Sequence, residues 1–253
     1  MATAIGPRRC IIIGRLISIF LALLLAASGA RAEIVRAENY QSFWLWAGVR
    51  PQPALQQAKE IYLLAGEVKD GSHPHIISQR SAAPHIIGPN VWIVYRAQTI
   101  AWDEAVLREI LAHMEAWRAN GNAVVGLQID FDAGTKNLEN YAGFLAHVRA
   151  LLPARYQLGV TGLLDWSAHG EPAGLQALGQ TVDEVVVQIY QGRHVSPGYQ
   201  AYLAKLAGLK VNFKIGLLQG GDWTAPDHLQ GNSLFKGYVV FLLNPEISGK
   251  SSP

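Results

Sequence analysis

The sequence contains a single cysteine, Cys10, close to its amino terminus. One cysteine cannot form an internal disulfide, and it cannot build a cysteine-rich metal site. Charged residues are also scarce at 16%, whereas hydrophobic residues make up 50% of the chain. A chain of 253 residues with this composition is long enough to bury one large apolar core, so covalent cross-links are not needed to hold it together.

The first 32 residues have the pattern of an export signal. Arg8 and Arg9 give a positive start, the apolar stretch Leu16–Ala27 follows, and Ala30-Arg31-Ala32 is a small-x-small cleavage site. The apolar stretch is short for a membrane span. We therefore predict a signal peptide over residues 1–32 that is removed on export to the periplasm. The alternative is an uncleaved leader that anchors the protein to the inner membrane.

Positive charge is concentrated in this leader. The whole sequence has 21 Lys and Arg residues against 19 Asp and Glu residues, but four of the arginines lie in the leader, which holds no acid. Residues 33–253 therefore carry a net charge of −2 and contain no cysteine. A balance of this sign argues against a nucleic-acid partner. Once the leader is removed, no stable membrane association is predicted either.

Eight short β-type runs recur through residues 33–253, and most of them are continuously apolar. Such runs are typical of strands buried on both faces, as in parallel sheets. Helical patterns between several of them, such as Asp103–Asn120 and Leu138–Leu152, predict β/α units with right-handed crossovers. The eight runs are Ser42–Val49, Ile61–Glu67, Val91–Arg96, Ala123–Asp132, Gln157–Leu164, Glu184–Tyr190, Val211–Leu218 and Tyr238–Leu243.

Eight strands alternating with helices predict a single α/β domain, a (β/α)8 TIM-type barrel over residues 33–253. The barrel is lean. Residues Val68–Asn90 lack a clear helical pattern, and only Asn244–Pro253 follow the last strand. Incomplete or irregular helices are therefore expected after strands 2 and 8. A doubly wound open sheet is the alternative, but no glycine-rich phosphate loop follows the first strand.

The end of the fourth predicted strand carries the most informative residues. It reads Val124-Val125-Gly126-Leu127-Gln128-Ile129-Asp130-Phe131-Asp132. Because side chains alternate along a strand, Gln128, Asp130 and Asp132 are predicted to point the same way. Two acids at the end of a buried strand are costly unless they are paired or used, and barrels carry their chemistry at this end. The alternative is a structural pair that caps the following helix.

Polar and aromatic residues also stand at the ends of other predicted strands. Asp165 and Trp166 follow the fifth strand, Tyr190 and Gln191 the sixth, and Trp223 the seventh. Carboxylates with a rim of tryptophans suit a saccharide. The acids can protonate and activate a glycosidic bond, and indole faces can stack on sugar rings. The candidate catalytic residues are therefore Asp130 and Asp132, and the candidate substrate-binding residues are Gln128, Asp165, Trp166, Tyr190, Gln191 and Trp223.

Other conspicuous residues favour structural roles. Trp44, Trp46 and Trp92 are expected in the core, because large aromatic side chains are buried more often than not. Arg96, at the end of the third strand, is expected to pair with Asp130.

A metal site at His73, His75 and His85 is the alternative interpretation of a histidine-rich segment. Metal ligand sets usually include a carboxylate on a defined scaffold, and this segment is rich in proline. Neither a metal nor another cofactor is predicted.

The fourth strand resembles that of the chitinase-type glycoside hydrolases (family eighteen), which ends in a pattern like Phe-Asp-Gly-Leu-Asp-Leu-Asp-Trp-Glu. Gly126, Leu127 and Asp130 match this pattern, and Phe131 replaces its aromatic residue. Asp132 falls where that family has its catalytic acid, as Asp instead of Glu. The resemblance implies that Asp132 is the general acid.

Two further positions differ from the same family pattern. Gln128 falls where the pattern has its first Asp. The sixth strand of that family ends in Met-x-Tyr-Asp, and here Gln188-Ile189-Tyr190-Gln191 keeps the Tyr and loses the Asp. These differences motivate a non-catalytic alternative.

More closely, the chain resembles a bacterial family of exported proteins known only as a domain of unknown function (number 3142). The shared features are the strand end Gln128–Asp132, the helix Tyr141–Leu152, the strand Gly159–Leu163 leading to Trp166, and Gln188–Gln191. The resemblance covers most of residues 43–243. It implies a barrel fold and sugar hydrolysis, and it names no substrate.

The sequence therefore predicts an exported glycoside hydrolase-like protein that acts on a saccharide or polysaccharide. Asp132 would be the general acid and Asp130 its electrostatic partner, while Tyr190 and Gln188 orient the substrate and Trp166 stacks on it. The alternative is a non-catalytic carbohydrate-binding barrel, and a weaker one is a structural envelope protein. The oligomeric state is left open.

Overall fold

The computed structural model describes residues 32–80, 82–206 and 209–244. The predicted signal peptide, apart from Ala32, lies outside the described residues. Among the helices that the structure describes, none is long and apolar enough to cross a membrane.

Eight parallel strands close into a barrel. Each strand pairs with the next along the chain, and the eighth pairs with the first through Val240 beside Phe43 and Phe241 beside Trp44. The predicted TIM-type barrel is therefore confirmed. The strands are β1 (Ser42–Leu45), β2 (Glu60–Lys69), β3 (Asn90–Ala97), β4 (Ala123–Asp130), β5 (Gln157–Leu163), β6 (Glu184–Gln188), β7 (Phe213–Leu218) and β8 (Phe235–Phe241).

Five of the strands end earlier than their apolar runs predict, and the ends of β4 and β6 bear on the cavity. The five are β1 (Leu45), β4 (Asp130), β5 (Leu163), β6 (Gln188) and β8 (Phe241). β4 ends at Asp130, so Asp132 lies in the loop beyond it, and β6 ends at Gln188. Residues Tyr190–Gln191 instead pair with His194–Val195 in a small antiparallel hairpin. The apolar pattern does not mark these ends, because the chain stays apolar and packed against the core beyond the last paired residue.

Helices cover the outside of the barrel between β3 and β7. The longest begins where the Asp103 side chain accepts a hydrogen bond from the Val106 amide at 2.9 Å, and it ends just before Gly121, whose φ is +85°. The helices are α1 (Glu104–Ala119), α2 (Leu138–Leu151), α3 (Trp166–His169), α4 (Pro172–Thr181) and α5 (Tyr199–Leu203), with 3-10 turns at Ala37–Asn39, Pro53–Gln57, Thr135–Asn137 and Asp227–Leu229.

The connection from β2 to β3 has no helix in its described residues, as predicted. Residues His75–Ser78 fold back as a strand antiparallel to the end of β2. The connection after β8 is described only as far as Asn244, so the expected irregular end of the barrel lies outside the described residues.

The barrel interior has an aromatic middle and two polar ends. The Trp92 ring lies in the middle of the barrel interior. The Tyr62 ring stacks on it, with ring centroids 5.5 Å apart. At the amino-terminal ends of the strands, the Lys214 Nζ lies 2.7 Å from Glu60 and 2.8 Å from Glu184. At the opposite end the interior opens into a cavity beside Asp130, which is where barrel enzymes carry their chemistry.

Candidate active site at the carboxyl ends of the strands

A cavity of about 870 Å³ lies at the carboxyl ends of the barrel strands. Its volume is within the usual range for small-molecule sites. Its polar lining includes Arg96, Asp130, Asp132, Asp165, Gln188 and Gln191, and its aromatic lining is Trp46, Tyr190, Tyr202 and Phe241.

Asp130 is the buried acid of this cavity. Its side chain points into the barrel at the last residue of β4, and the residue is only 6% exposed. One carboxylate oxygen accepts a hydrogen bond from the Thr161 hydroxyl at 2.9 Å. Burial raises the pKa of Asp130 from 3.8 to about 6, against the lowering effects of the Thr161 hydrogen bond and the Arg96 charge. Asp130 can therefore hold or release a proton close to neutral pH.

Asp132 lies at the open side of the same cavity, and its side chain is 66% exposed. The nearest cation is Arg96, whose guanidinium nitrogen is 3.8 Å from the carboxylate. The same guanidinium lies 5.2 Å from the centre of the Trp46 ring. Arg96 was predicted to pair with Asp130, and this prediction was wrong, because its ion-pair partner is Asp132. β4 ends at Asp130, and the loop that follows brings Asp132 nearer to Arg96.

Two tyrosine hydroxyl groups face the acids from buried positions. Burial raises the pKa of Tyr190 and of Tyr141 well above the usual value, and the negative charge of Asp130 adds to both shifts. The Gln188 side chain interacts with the Tyr190 hydroxyl and lowers its pKa. The Tyr141 hydroxyl has no hydrogen-bond partner among the described residues.

Asp165 also lines the cavity, at the start of α3. Its backbone carbonyl accepts hydrogen bonds from the amides of Ala168 and His169, which fixes the turn. Its side-chain Oδ1 is buried and has no hydrogen-bond partner among the described residues. Asp165 therefore brings a third carboxyl group to the cavity.

The structure brings together five of the eight residues predicted for the site: Asp130, Asp132, Asp165, Tyr190 and Gln191. Gln128 does not reach the cavity wall. It is fully buried in the barrel interior, two residues before Asp130, and its amide atoms have no hydrogen-bond partner among the described residues.

Trp166 and Trp223 were predicted to stack on a sugar, but neither residue lines this cavity. Trp166 is 3% exposed, and its indole N–H donates to the Ala133 carbonyl at 2.8 Å. Trp223 is 5% exposed and stacks on Tyr199. Both residues follow strand ends, but the chain turns back over the core immediately, so their rings pack inward.

Trp46 is the aromatic residue that the sequence interpretation missed. Trp44 and Trp92 are buried, as predicted, but Trp46 is half-buried and lines the cavity. Because β1 ends at Leu45, the alternation that places Trp44 inside the barrel places Trp46 at its mouth. The alternation of side chains from Trp44 was the available signal in the sequence.

The histidine-rich segment forms no site in the part of the chain that is described. His85 Nδ1 lies 2.6 Å from the Asn120 carbonyl, a contact that ties its loop to the end of α1. No group of three or more His, Cys, Asp or Glu residues within the described ranges is arranged to hold a metal ion.

Comparison with solved structures shows the barrel fold. A xylanase-alpha-amylase inhibitor protein, XAIP-I, solved as a complex with trehalose, is 8% identical with a TM-score of 0.52, covering 79% of this chain and 92% of its own. A chitinase from Bacteroides thetaiotaomicron is 13% identical with a TM-score of 0.50, covering 77% of this chain and 72% of its own. The chain spans about half, 51%, of the Bacillus cereus spore cortex-lytic enzyme SleL, which is 14% identical with a TM-score of 0.47.

Comparison of the sequence gives a narrower result. None of the curated proteins matches it. Residues 91–205 match the family described as Domain of unknown function (DUF3142). This segment runs from β3 into the region after α5 and includes Asp130, Asp132, Asp165 and Tyr190. The match confirms the predicted resemblance over that part of the chain.

Proposed function

We propose that the protein binds a saccharide in the cavity at the carboxyl ends of the strands and hydrolyses one of its glycosidic bonds. The observation that carries the proposal is the pair of acids in contrasting environments. Asp130 is buried with its pKa raised to about 6, and Asp132 is exposed beside it. Acid-assisted cleavage of a glycosidic bond uses two carboxyl groups whose surroundings separate their roles.

In this proposal Asp132 meets the glycosidic oxygen and acts as the general acid, because its side chain is the more accessible of the two. Asp130, protonated below pH about 6, lies behind it as its electrostatic partner, and the negative charge of Asp132 contributes to the raised pKa of Asp130. Tyr190 and Gln188 orient the sugar, and Trp46 supplies an apolar wall. We further propose, from the leader sequence, that the reaction takes place in the periplasm.

The test is the substitution Asp132→Asn. It should lower the release of reducing ends by roughly 100-fold or more, the usual loss when a general acid is removed. The melting temperature should stay nearly unchanged, because an exposed side chain with one ion pair at 3.8 Å contributes little to stability. Asp227→Asn, at an exposed acid outside the cavity, is the matched control. Unaltered turnover in Asp132→Asn would contradict the assignment of Asp132 as the general acid.

A second candidate function is a carbohydrate-binding barrel without catalysis. The contact between Arg96 and Asp132 favours it, because the guanidinium competes with a substrate oxygen for that carboxylate. The same fold is found in a chitinase and in an inhibitor protein, so the fold does not choose between the two functions.

One experiment separates the two candidates. The purified protein is applied to a glycan array, and the products are analysed for new reducing ends. Binding together with release of reducing ends supports hydrolysis, whereas binding without release supports the binding module. Absence of any binding at millimolar saccharide contradicts both and leaves the structural envelope role.

A further inference from the structure

A second cavity adjoins the proposed active site at the same end of the barrel. Its volume is about 700 Å³, and its lining includes Ile34, His194, Gln219 and Asp222. The wall between the two cavities is the hairpin formed by Tyr190–Gln191 and His194–Val195. Each cavity alone has the volume of a typical small-molecule site, so a ligand that occupies both must be a chain of several units.

Arg193, at the turn of this hairpin, is the only described residue that lines both cavities. The turn is defined by Gly192, whose φ of +58° is a conformation that favours glycine, and by the hydrogen bond from the Ser196 amide to the Ile189 carbonyl at 2.8 Å. The turn therefore places Arg193, an exposed residue, at the boundary between the cavities.

The guanidinium of Arg193 has no ion pair or hydrogen bond with any other described residue. This distinguishes it from Arg96, the other cation of the active-site cavity, which has Asp132 at 3.8 Å and the Trp46 ring beneath it. Asp222, the acid of the second cavity, is not within ion-pairing distance of Arg193. The fork of N–H donors on Arg193 is thus open to a ligand.

We propose that Arg193 binds a carboxylate group on a saccharide chain that crosses from one cavity to the other, so that the substrate is an acidic polysaccharide. A guanidinium binds a carboxylate through two parallel hydrogen bonds, which an uncharged sugar hydroxyl cannot reproduce. This inference rests on the proposed function, because it names the substrate class of that same site.

The experiment uses matched pairs of oligosaccharides, each with its carboxylates free or methyl-esterified. The probes are oligogalacturonate, alginate and hyaluronan fragments of four or more units, and binding is measured by calorimetry at low and at raised salt. We expect at least one free acid to bind roughly 10- to 100-fold more tightly than its ester, as a charged hydrogen-bonded pair provides. Raised salt should reduce this preference.

Variants test whether Arg193 causes the preference for the free acid over its ester. Arg193→Gln should bring the affinity for the acid down to that for its ester, and Arg193→Lys should restore part of the difference, because it keeps the charge but not the planar fork. Arg118→Gln makes the same charge change at an exposed position on α1 and should keep the full preference.

The inference is overturned if no acid binds more tightly than its ester, or if the preference survives Arg193→Gln. Esters or neutral saccharides that are bound and cleaved without any acid preference would contradict this inference alone. Failure to bind or cleave any saccharide, neutral or acidic, would contradict the proposed function as well.

Discussion

At the scale of single residues, two aspartates with the same side chain have different chemistry because of where β4 ends. Asp130 is the last residue of the strand and points into the barrel, where burial favours its neutral form. Asp132 is two residues further along, in the loop, and is largely exposed. The position of a strand end therefore decides which acid can store a proton near neutral pH.

The raised pKa of Asp130 predicts a pH-dependent cost to stability. The folded protein keeps this proton up to about pH 6, whereas the unfolded chain loses it near 3.8, so the free energy of unfolding falls as pH rises through this window and then levels off. Asp130→Asn removes the cost. We expect the variant to be more stable than the wild type by up to about 3 kcal/mol above pH 6, and to lose that advantage toward pH 4.

Urea unfolding at a series of pH values measures this difference. Asp132→Asn is the control, because it removes an exposed carboxylate from the same cavity. If the advantage of Asp130→Asn grew as the pH was lowered, burial would not be the cause of the shift. The same variant should lose activity. An acid that destabilises the fold is expected to be retained in a protein when it serves the function.

At the scale of elements, glycines in β4 and β5 make the aromatic middle of the barrel possible. Trp92 on β3 fills the space that side chains at Gly126 and Gly159 would occupy. A Cβ at Gly126 would lie 2.5 Å from the Trp92 ring and 2.5 Å from the Gln157 carbonyl oxygen. Neither neighbour can yield easily, because one is a buried ring and the other is backbone in a paired strand.

Gly126→Ala should therefore lower stability by roughly 1–3 kcal/mol, the usual cost of overpacking a core. Gly134→Ala is the matched control. Gly134 has a φ of −67° and nothing within 4 Å of an added Cβ, so the change there should be neutral or slightly stabilising. Thermal unfolding followed by circular dichroism measures both. Equal melting temperatures for the two variants would contradict the packing argument.

At the scale of the whole molecule, an aromatic layer separates two groups of charged residues at the two ends of the barrel. One group surrounds Asp130 at the cavity end. The other joins the amino-terminal ends of β2, β6 and β7, where Lys214 lies between Glu60 and Glu184 and donates to the Tyr62 hydroxyl at 2.8 Å. The first group lines the proposed active-site cavity, whereas the charges of the second are paired with one another and stabilise the barrel.

Lys214→Met tests this division. It leaves Glu60 and Glu184 facing each other without a cation, which should cost roughly 3–5 kcal/mol of stability at neutral pH. The loss should shrink at acid pH, because burial raises the pKa of Glu184 and protonation of that carboxylate removes one of the two facing charges. Activity of the folded variant, assayed well below its melting temperature, should be retained, because the cluster is at the opposite end of the barrel from the cavity.

Chemical unfolding and turnover are measured together on this variant. Lys236→Met is the control, since Lys236 is exposed and donates only to the Ser233 carbonyl at 2.8 Å. A variant at Lys214 that kept full stability would show that the cluster does not hold the strands together.

Most of the fold could be predicted from the sequence, because burial on both faces leaves a continuous apolar run in each strand. The position of Asp130 could be predicted for the same reason. The inward packing of Trp166 and Trp223, the place of Trp46 in the cavity wall and the location of Arg193 could not. These positions depend on how loops turn after the strands, and loop direction is set by distant contacts that no local pattern records.

The sequence by itself determined an eight-stranded parallel barrel, the strand that leads to the two acids, and the resemblance to the family that matches residues 91–205. Periodicity and motif spacing are local properties, and they are enough for those conclusions. Only the tertiary structure decided that Asp130 is the buried acid with the raised pKa, that Lys214 is enclosed by two glutamates, and that one hairpin separates two cavities. Burial and charge at these sites come from strands far apart in the chain, and they exist only once the barrel closes.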